Sequence, residues 1–576
     1  MNQNPSALAS DLTTRSDLGE IANARRQRDH RLEDGESPKV ELVTLQQPAG
    51  RDKKDDVCTV VSRGGEGGEG AGDEREDTVT WRSGRPGSSS NVATRRRGYN
   101  FPGFGAVFRR TGAILMKYAR FVGPGFMISV AYIDPGNYAT AVAAGASYRF
   151  RLLFMVLVSN IFAIFLQSLC TKLGSVTGLN LAENCRAHFP PWLNYVLYFF
   201  AEAAIIATDI AEVIGTAIAL NLLLHVPLVA GCAISIVDVM VTLLFYRPNK
   251  GSMRGLRAFE IFVMLLVLGV VICFCYQLSM IKNTSVGSVF RGYLPSSAIV
   301  QGTGLYQACG ILGATVMPHS LYLGSGIIQA RLKDYDKRNN NLPEPIEGED
   351  GEEQEKYRPS MSAIRSCLSY SIVEMAVSLF TFALFVNSAI LIVAGASLYN
   401  IDGASDADLF GIYHLLSRTM APVAGTIFAL ALLLSGISAG IVCTIAGQMV
   451  SEGQLSWSVK PWVRRLVTRS ISITPSIIIA GAVGQEGLSA ALEGSQVALS
   501  IILPFVSAPI IYFTCLKKFM TVAPREGSTE GEGVGPQGVV NMRNHWVTAT
   551  IAILIWLLIV VMNVALIVLL GMGIEV

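Results

Sequence analysis

From residue 121 onward the chain alternates long apolar runs with short polar stretches. Runs of about 20 apolar residues, the length a helix needs to cross a hydrocarbon core, recur at 121–147, 151–173, 193–224, 226–246, 257–279, 302–330, 364–396, 421–450, 466–484, 490–515 and 546–572. The pattern predicts an all-α polytopic membrane protein with eleven spans. Two spans are interrupted. The first carries Asp134-Pro135-Gly136-Asn137 in its middle, and the sixth carries Met317-Pro318-His319-Ser320. Proline removes a backbone donor and clashes with the preceding turn, so a break in the helix is expected at each motif. A carboxylate near the centre of a membrane helix costs roughly 2.5 to 3.5 kcal/mol on insertion scales. Broken backbone at that depth is tolerated only where it is buried in protein or lines a cavity. Paired interrupted helices at corresponding positions of two halves mark the binding site of a secondary transporter.

Residues 1–105 contain no sustained apolar run. They include a Gly/Glu/Arg-rich patch from Arg63 to Asp77 and a Gly-Ser stretch from Gly84 to Ser90, a composition expected of a disordered tail. No charged n-region with a following apolar core stands at Met1, so the first apolar helix is expected to target the chain. Arg95, Arg96, Arg97, Arg109, Arg110, Lys117 and Arg120 lead into that helix and predict a cytoplasmic N-terminus. Lys and Arg in alternate loops agree with eleven spans, apart from Arg149 and Arg151 in a short outer loop. Asn283-Thr284-Ser285, a glycosylation sequon, falls outside on this count.

Composition changes the picture little: 51% hydrophobic, 16% charged, mean hydropathy +0.42 and net charge +2. These values fit a membrane protein and give no sign of a nucleic-acid partner. The ten cysteines lie mostly within apolar runs without zinc-site spacing, so inert membrane thiols are expected. No resident cofactor is expected.

At the two breaks the available ligands are a carboxylate, an amide, a thioether and freed carbonyls. Carboxylate and carbonyl oxygens suit hard or borderline divalent ions, whereas a thioether favours softer transition metals. The alternatives are plain: Asp134 could serve a structural pair, and Met317 could be core filler. The third span holds Glu202, Asp209 and Glu212. At 100° per residue Glu202 and Asp209 lie about 20° apart, and the three acids fit one broad polar stripe. Pairing with Arg464, Arg465 or Arg469 is the structural alternative for these acids. Asp238, Glu260, Glu374 and Glu493 receive no role.

These motifs carry a resemblance to a known family. D-P-G-N at 134–137, M-P-H at 317–319, A-T-D-I-A-E-V-I-G at 207–215 and S-Q-V-A-L-S-I-I-L-P-F at 495–505 resemble the natural resistance-associated macrophage protein (Nramp) family of proton-coupled divalent metal transporters. The likeness covers residues 115–575. The family's M-P-H-N is M-P-H-S here, and its second histidine is Gly324, departures that resemble the Smf-type fungal branch. The resemblance implies a LeuT-type five-plus-five inverted repeat with an eleventh helix. It implies that the carbonyls of Ala131 and Ala314 join Asp134, Asn137 and Met317 around Mn²⁺ or Fe²⁺, with Gln496 as a further ligand and Gln167 nearby. It also implies that Asp209 accepts the proton, that Glu212 lies on its exit route, and that His319 is tied to proton movement rather than to the metal. A metal-sensing receptor and a channel are the alternatives; neither needs both an ion site and a carboxylate relay.

Overall fold

The computed structural model describes residues 124–237, 253–282, 284–341, 357–401, 408–455, 461–522 and 540–572. The tail 1–105, Asn283 of the sequon, and the fourth predicted span beyond residue 237 lie outside the described residues.

The first apolar run folds as two half-helices, α1 (Pro124–Val130) and α2 (Pro135–Tyr148). The break falls one turn earlier than the Asp-Pro-Gly-Asn motif itself. Residues 131–134 are non-helical, while Pro135 and Gly136 sit inside the first turn of α2. The reason is the chemistry of a helix start. Proline disfavours helix in the residue before it and is at home at the first helical position, where its missing N–H costs nothing. Asp134 is therefore the N-cap, in extended conformation, and its carboxylate accepts the backbone N–H groups of Gly136 and Asn137.

The second to fifth runs give α3 (Leu153–Thr177), α5 (Pro191–Leu224), α6 (Leu228–Ile234) and α7 (Met253–Ser279). Between them sit two helices too short to register as apolar runs, α4 (Leu181–His188) and, after α7, α8 (Val286–Arg291). A reciprocal cap between Asn180 and Glu183 starts α4, a signal readable in the sequence. The sixth run breaks into α9 (Gly302–Thr315) and α10 (Pro318–Arg338), with Val316 and Met317 between them and Pro318 again at the first helical position.

The seventh run is α11 (Met361–Ser378) and α12 (Leu384–Ser397), joined through a π-helical turn at Leu379–Ala383. The short α13 (Leu409–Thr419), capped by Asp408, precedes α14 (Pro422–Leu455), α15 (Pro461–Ala482), α16 (Gln485–Cys515) and α17 (Trp546–Gly571). A two-residue hairpin pairs Thr521–Val522 with Val540–Asn541 ahead of α17. Eight helical stretches among the described residues are long and apolar enough to cross a membrane. The first run misses that mark because its two halves are short, and α15 because its apolar part is only Leu466–Ala482.

Both broken helices lie inside the bundle. α2 packs on α12, α9, α5 and α16; α9 packs on α16; α10 packs on α3; and α5 is clasped by α14, α16 and α15. By contrast α7 and α17 turn large apolar residues outward, including Ile261, Leu265 and Ile272 on one and Leu554, Val561 and Val564 on the other. Such faces are at home against lipid tails.

Candidate metal site and buried charge cluster

The two breaks meet through Asn137. Its amide nitrogen donates to Asp134 Oδ1 at 2.6 Å, to the Tyr132 carbonyl at 3.1 Å and to the Ala314 carbonyl at 2.9 Å. One NH₂ carries two hydrogens, yet three oxygens converge on it. Such a cluster of oxygens, one anionic, is what a cation would seek. Asn137 Oδ1 accepts from Thr315 Oγ1 at 3.3 Å. In this arrangement Asn137 is a donor within the cluster, and a half-turn of the amide would present its oxygen instead.

The carbonyls released by the first break are held from outside. Asn387 of α12 donates to the Tyr132 carbonyl at 3.1 Å, and Ser435 of α14 donates to the Ile133 carbonyl at 2.9 Å. A buried carbonyl without a partner costs about 1–3 kcal/mol. These donors therefore fix a segment that no helix supports. Neither residue was singled out by sequence; each is one of a few polar positions in an apolar run, which was the available signal.

Every residue assigned to the metal by sequence is buried here: Asp134, Asn137, Met317, Ala131, Ala314 and Gln496. The contacts above bring together Asp134, Asn137 and Ala314. Ala131 opens the non-helical segment, and Met317 is the N-cap of α10, three residues past Ala314. Gln496 packs onto the first turn of α2 and the backbone of α9. A Cβ on Gly136 would strike its amide, and one on Gly313 its carbonyl. Gln496 Nε2 donates to Ser495 at 3.0 Å, while its Oε1 is buried and has no hydrogen-bond donor.

A second network ties the breaks to α3. Gln167 donates to Tyr132 Oη at 3.0 Å and to the Ser320 carbonyl at 2.8 Å, and Tyr132 Oη lies 2.9 Å from Ser320 Oγ. Gly324 explains one departure from the family pattern: a Cβ there would collide with the Gln167 amide oxygen. A histidine at 324 would require Gln167 to move.

The acids of α5 divide into two groups. Asp209 and Glu212 are buried with Arg469 of α15, which pairs with Asp209 and lies 3.6 Å from Glu212. Glu202 is two turns removed and only partly buried. The pairing foreseen as the structural alternative is therefore present, with Arg469 as the partner; the Arg464 and Arg465 side chains lie outside the described residues. His319 reaches the same helix, its Nδ1 3.2 Å from Thr208 Oγ1, the neighbour of Asp209 in sequence. Cys443 of α14 completes a group with Asp209 and Glu212 whose ligand atoms lie within 4.8 Å. The nine described cysteines are all free.

What the fold defines is an all-helical, polytopic membrane transporter of LeuT type. The model of the natural resistance-associated macrophage protein-like family matches residues 125–529, and the chain belongs to that family. Its relatives are metal transporters rather than enzymes. It is 53% identical over 505 residues to the manganese transporter SMF1 of Saccharomyces cerevisiae, covering 80% of this chain and 87% of that protein. It is 53% identical over 415 residues to the iron transporter SMF3 of the same yeast, covering 72% and 85%. Among solved structures, the Eremococcus coleocola manganese transporter in complex with an aromatic bis-isothiourea substituted compound matches with a TM-score of 0.63 at 28% identity, covering 78% of this chain and 86% of that one.

Proposed function

We propose that the protein carries Mn²⁺ or Fe²⁺ toward the cytoplasm together with protons, by alternating access around the two helix breaks. The observation that carries this reading is the convergence of Asp134 Oδ1, the Tyr132 carbonyl and the Ala314 carbonyl on the single Asn137 nitrogen. A divalent ion entering there takes the place of the amide hydrogens. Asp134 supplies charge, the Ala131 and Ala314 carbonyls and a rotated Asn137 supply oxygen, and Met317 supplies sulfur. Gln496, with its unsatisfied Oε1, completes the shell from α16. The names of SMF1 and SMF3 support manganese and iron as the substrates.

The proton takes a different path. His319 touches Thr208, and Asp209 follows Thr208 in α5, so a line of polar groups leads from the second break to Asp209, Arg469 and Glu212. Asp209 receives the proton and Glu212 lies on its exit route; Glu202 continues the stripe along the same helix. Arg469 compensates the two carboxylates, since buried charges in a membrane helix need partners. The N-terminus faces the cytoplasm, in keeping with the arginines that precede α1, and the membrane is the plasma membrane or an endosomal or vacuolar one.

The test is Mn²⁺ uptake into proteoliposomes under an imposed pH gradient. Accumulation driven by an inward proton gradient is expected, with Asp209→Asn cutting proton flux while Mn²⁺ binding persists. Uptake indifferent to the gradient would refute coupling, and full metal-driven acidification in Asp209→Asn would refute its place in the relay.

A further inference from the structure

Glu374 on α11 was left without a role, yet it joins three elements. One of its carboxylate oxygens meets Arg331 Nη1 of α10 at 2.7 Å, and the other accepts the backbone N–H of Gly125, in the first turn of α1, at 3.1 Å. Arg331 also donates to Ser371 of α11 at 2.8 Å. Both charged side chains are nearly sealed from solvent, 6% exposed for Glu374 and 11% for Arg331. The elements so joined are not arbitrary. α1 ends at the break that carries Asp134, and α10 begins at the break that carries Met317. Gly125 of α1 and Arg331, in the second half of α10, thus lie together, joined through the Glu374 carboxylate.

α1 is only seven residues long. The backbone N–H of Gly125 is held by a carboxylate rather than by a neutral acceptor, a charge-assisted bond. Glu374 supplies both the acceptor and the charge. Gly125 is what permits the approach: a Cβ there would lie 3.0 Å from Glu374 Cγ and 3.1 Å from the Met375 nitrogen. Phe126 adds a ring contact with Phe382 of the π-helical turn, 5.0 Å between centroids. Truncating one member of a buried ion pair leaves an uncompensated charge, which is strongly unfavourable. The arrangement of α1 against α10 and α11 is therefore sensitive to this side chain.

We propose that Glu374 is a positioning residue that, with Arg331, latches α1 to α10 and α11 and so governs how often the metal site opens at the end of the bundle where α1 begins. The latch acts on the site through α1, without touching the ion. It rests on the alternating-access reading above, for which one group of helices must move against another to expose a fixed site.

The experiment reads the position of α1 directly. A reporter cysteine replaces Met127, a buried residue of α1, in full-length protein whose Cys58, Cys275 and Cys515 are serine, and a membrane-impermeant maleimide is applied to proteoliposomes from each side. Glu374→Ala and Gly125→Ala are expected to raise the labelling rate from one side by about tenfold, a shift of about 1.4 kcal/mol in the open–closed balance. Glu374→Gln keeps an acceptor for Gly125 and should fall between them and the parent. In uptake, the same variants should raise the KM for Mn²⁺ applied from the opposite side more than they lower the maximal rate, which a merely structural defect would not do. Parent-like labelling in Glu374→Ala or Gly125→Ala, in protein that elutes as a single folded species, overturns the latch. Should Glu374→Ala fail to fold, Gly125→Ala and Glu374→Gln decide the question. Because labelling needs no transport, a parent that fails to accumulate Mn²⁺ would sink the transport reading while the labelling still judges the latch.

Discussion

The two breaks begin alike and end differently. Each resumes its helix with a proline at the first helical position, Pro135 and Pro318, yet the first leaves four residues non-helical and the second only two. The first is capped by a carboxylate and braced by donors from other helices, Asn387 and Ser435. The second has Met317 at its cap, with no side-chain hydrogen bond to the helix start. A longer break frees more carbonyls and must satisfy more of them. On the proposed reading the pair splits the labour: the first break would furnish charge and a rigid oxygen frame, and the second a soft, uncharged ligand.

That division can be broken most severely at Asp134. Asp134→Asn removes the only charge at either break, and Mn²⁺ affinity should fall by more than about 100-fold, since even partners outside the coordination shell are worth 10–100-fold. Calorimetric titration checks it, and near-normal binding would mean that the first break does not supply the charge. Met317→Ala tests the other half. The remaining set of Asp134, Asn137 and carbonyls resembles an ordinary calcium or magnesium site. Competition of Ca²⁺ against Mn²⁺ uptake should shift toward Ca²⁺ by about tenfold, or about 1.4 kcal/mol, because selectivity is a difference of affinities. An unchanged preference would show that the sulfur does not discriminate.

The bracing of the first break carries a smaller penalty. Asn387→Leu takes one of two donors from the Tyr132 carbonyl and should cost roughly 1–3 kcal/mol of stability, read as an earlier thermal transition in detergent. Ser435→Ala should cost less, about 1 kcal/mol, as is usual for one neutral hydrogen bond. If both substitutions left the transition unmoved, the frame around the first break would be held by packing alone.

How much of this was legible in the residues follows from the range of the forces involved. Membrane spans rest on local composition, because a lipid-exposed segment must be apolar for some 20 residues whatever its neighbours do; ten of the eleven runs accordingly appear as helices over most of their length, and the fourth is described only to residue 237. Both breaks were also local, since proline acts on its own turn. Their extent was not: Asp134-Pro135-Gly136 reads as the interruption, but a carboxylate directly before proline makes a better cap than a gap, which moved the break back to 131–134. The short helices α4, α8 and α13 escaped a reading tuned to spans.

What only the tertiary structure decided are the partners across the chain. Asn137 meets Ala314 across 177 residues of sequence, Ser435 meets Ile133 across 302, and Gly125 meets Glu374 across 249. Three acids on α5 looked equivalent along one stripe, yet Arg469 reaches two of them and leaves Glu202 aside. The sequence by itself determined which residues are costly to bury in a membrane, because that cost belongs to each side chain. It could not determine which partner meets that cost, because hydrogen bonds and ion pairs act over a few ångströms and helix packing alone sets which distant side chains come that close.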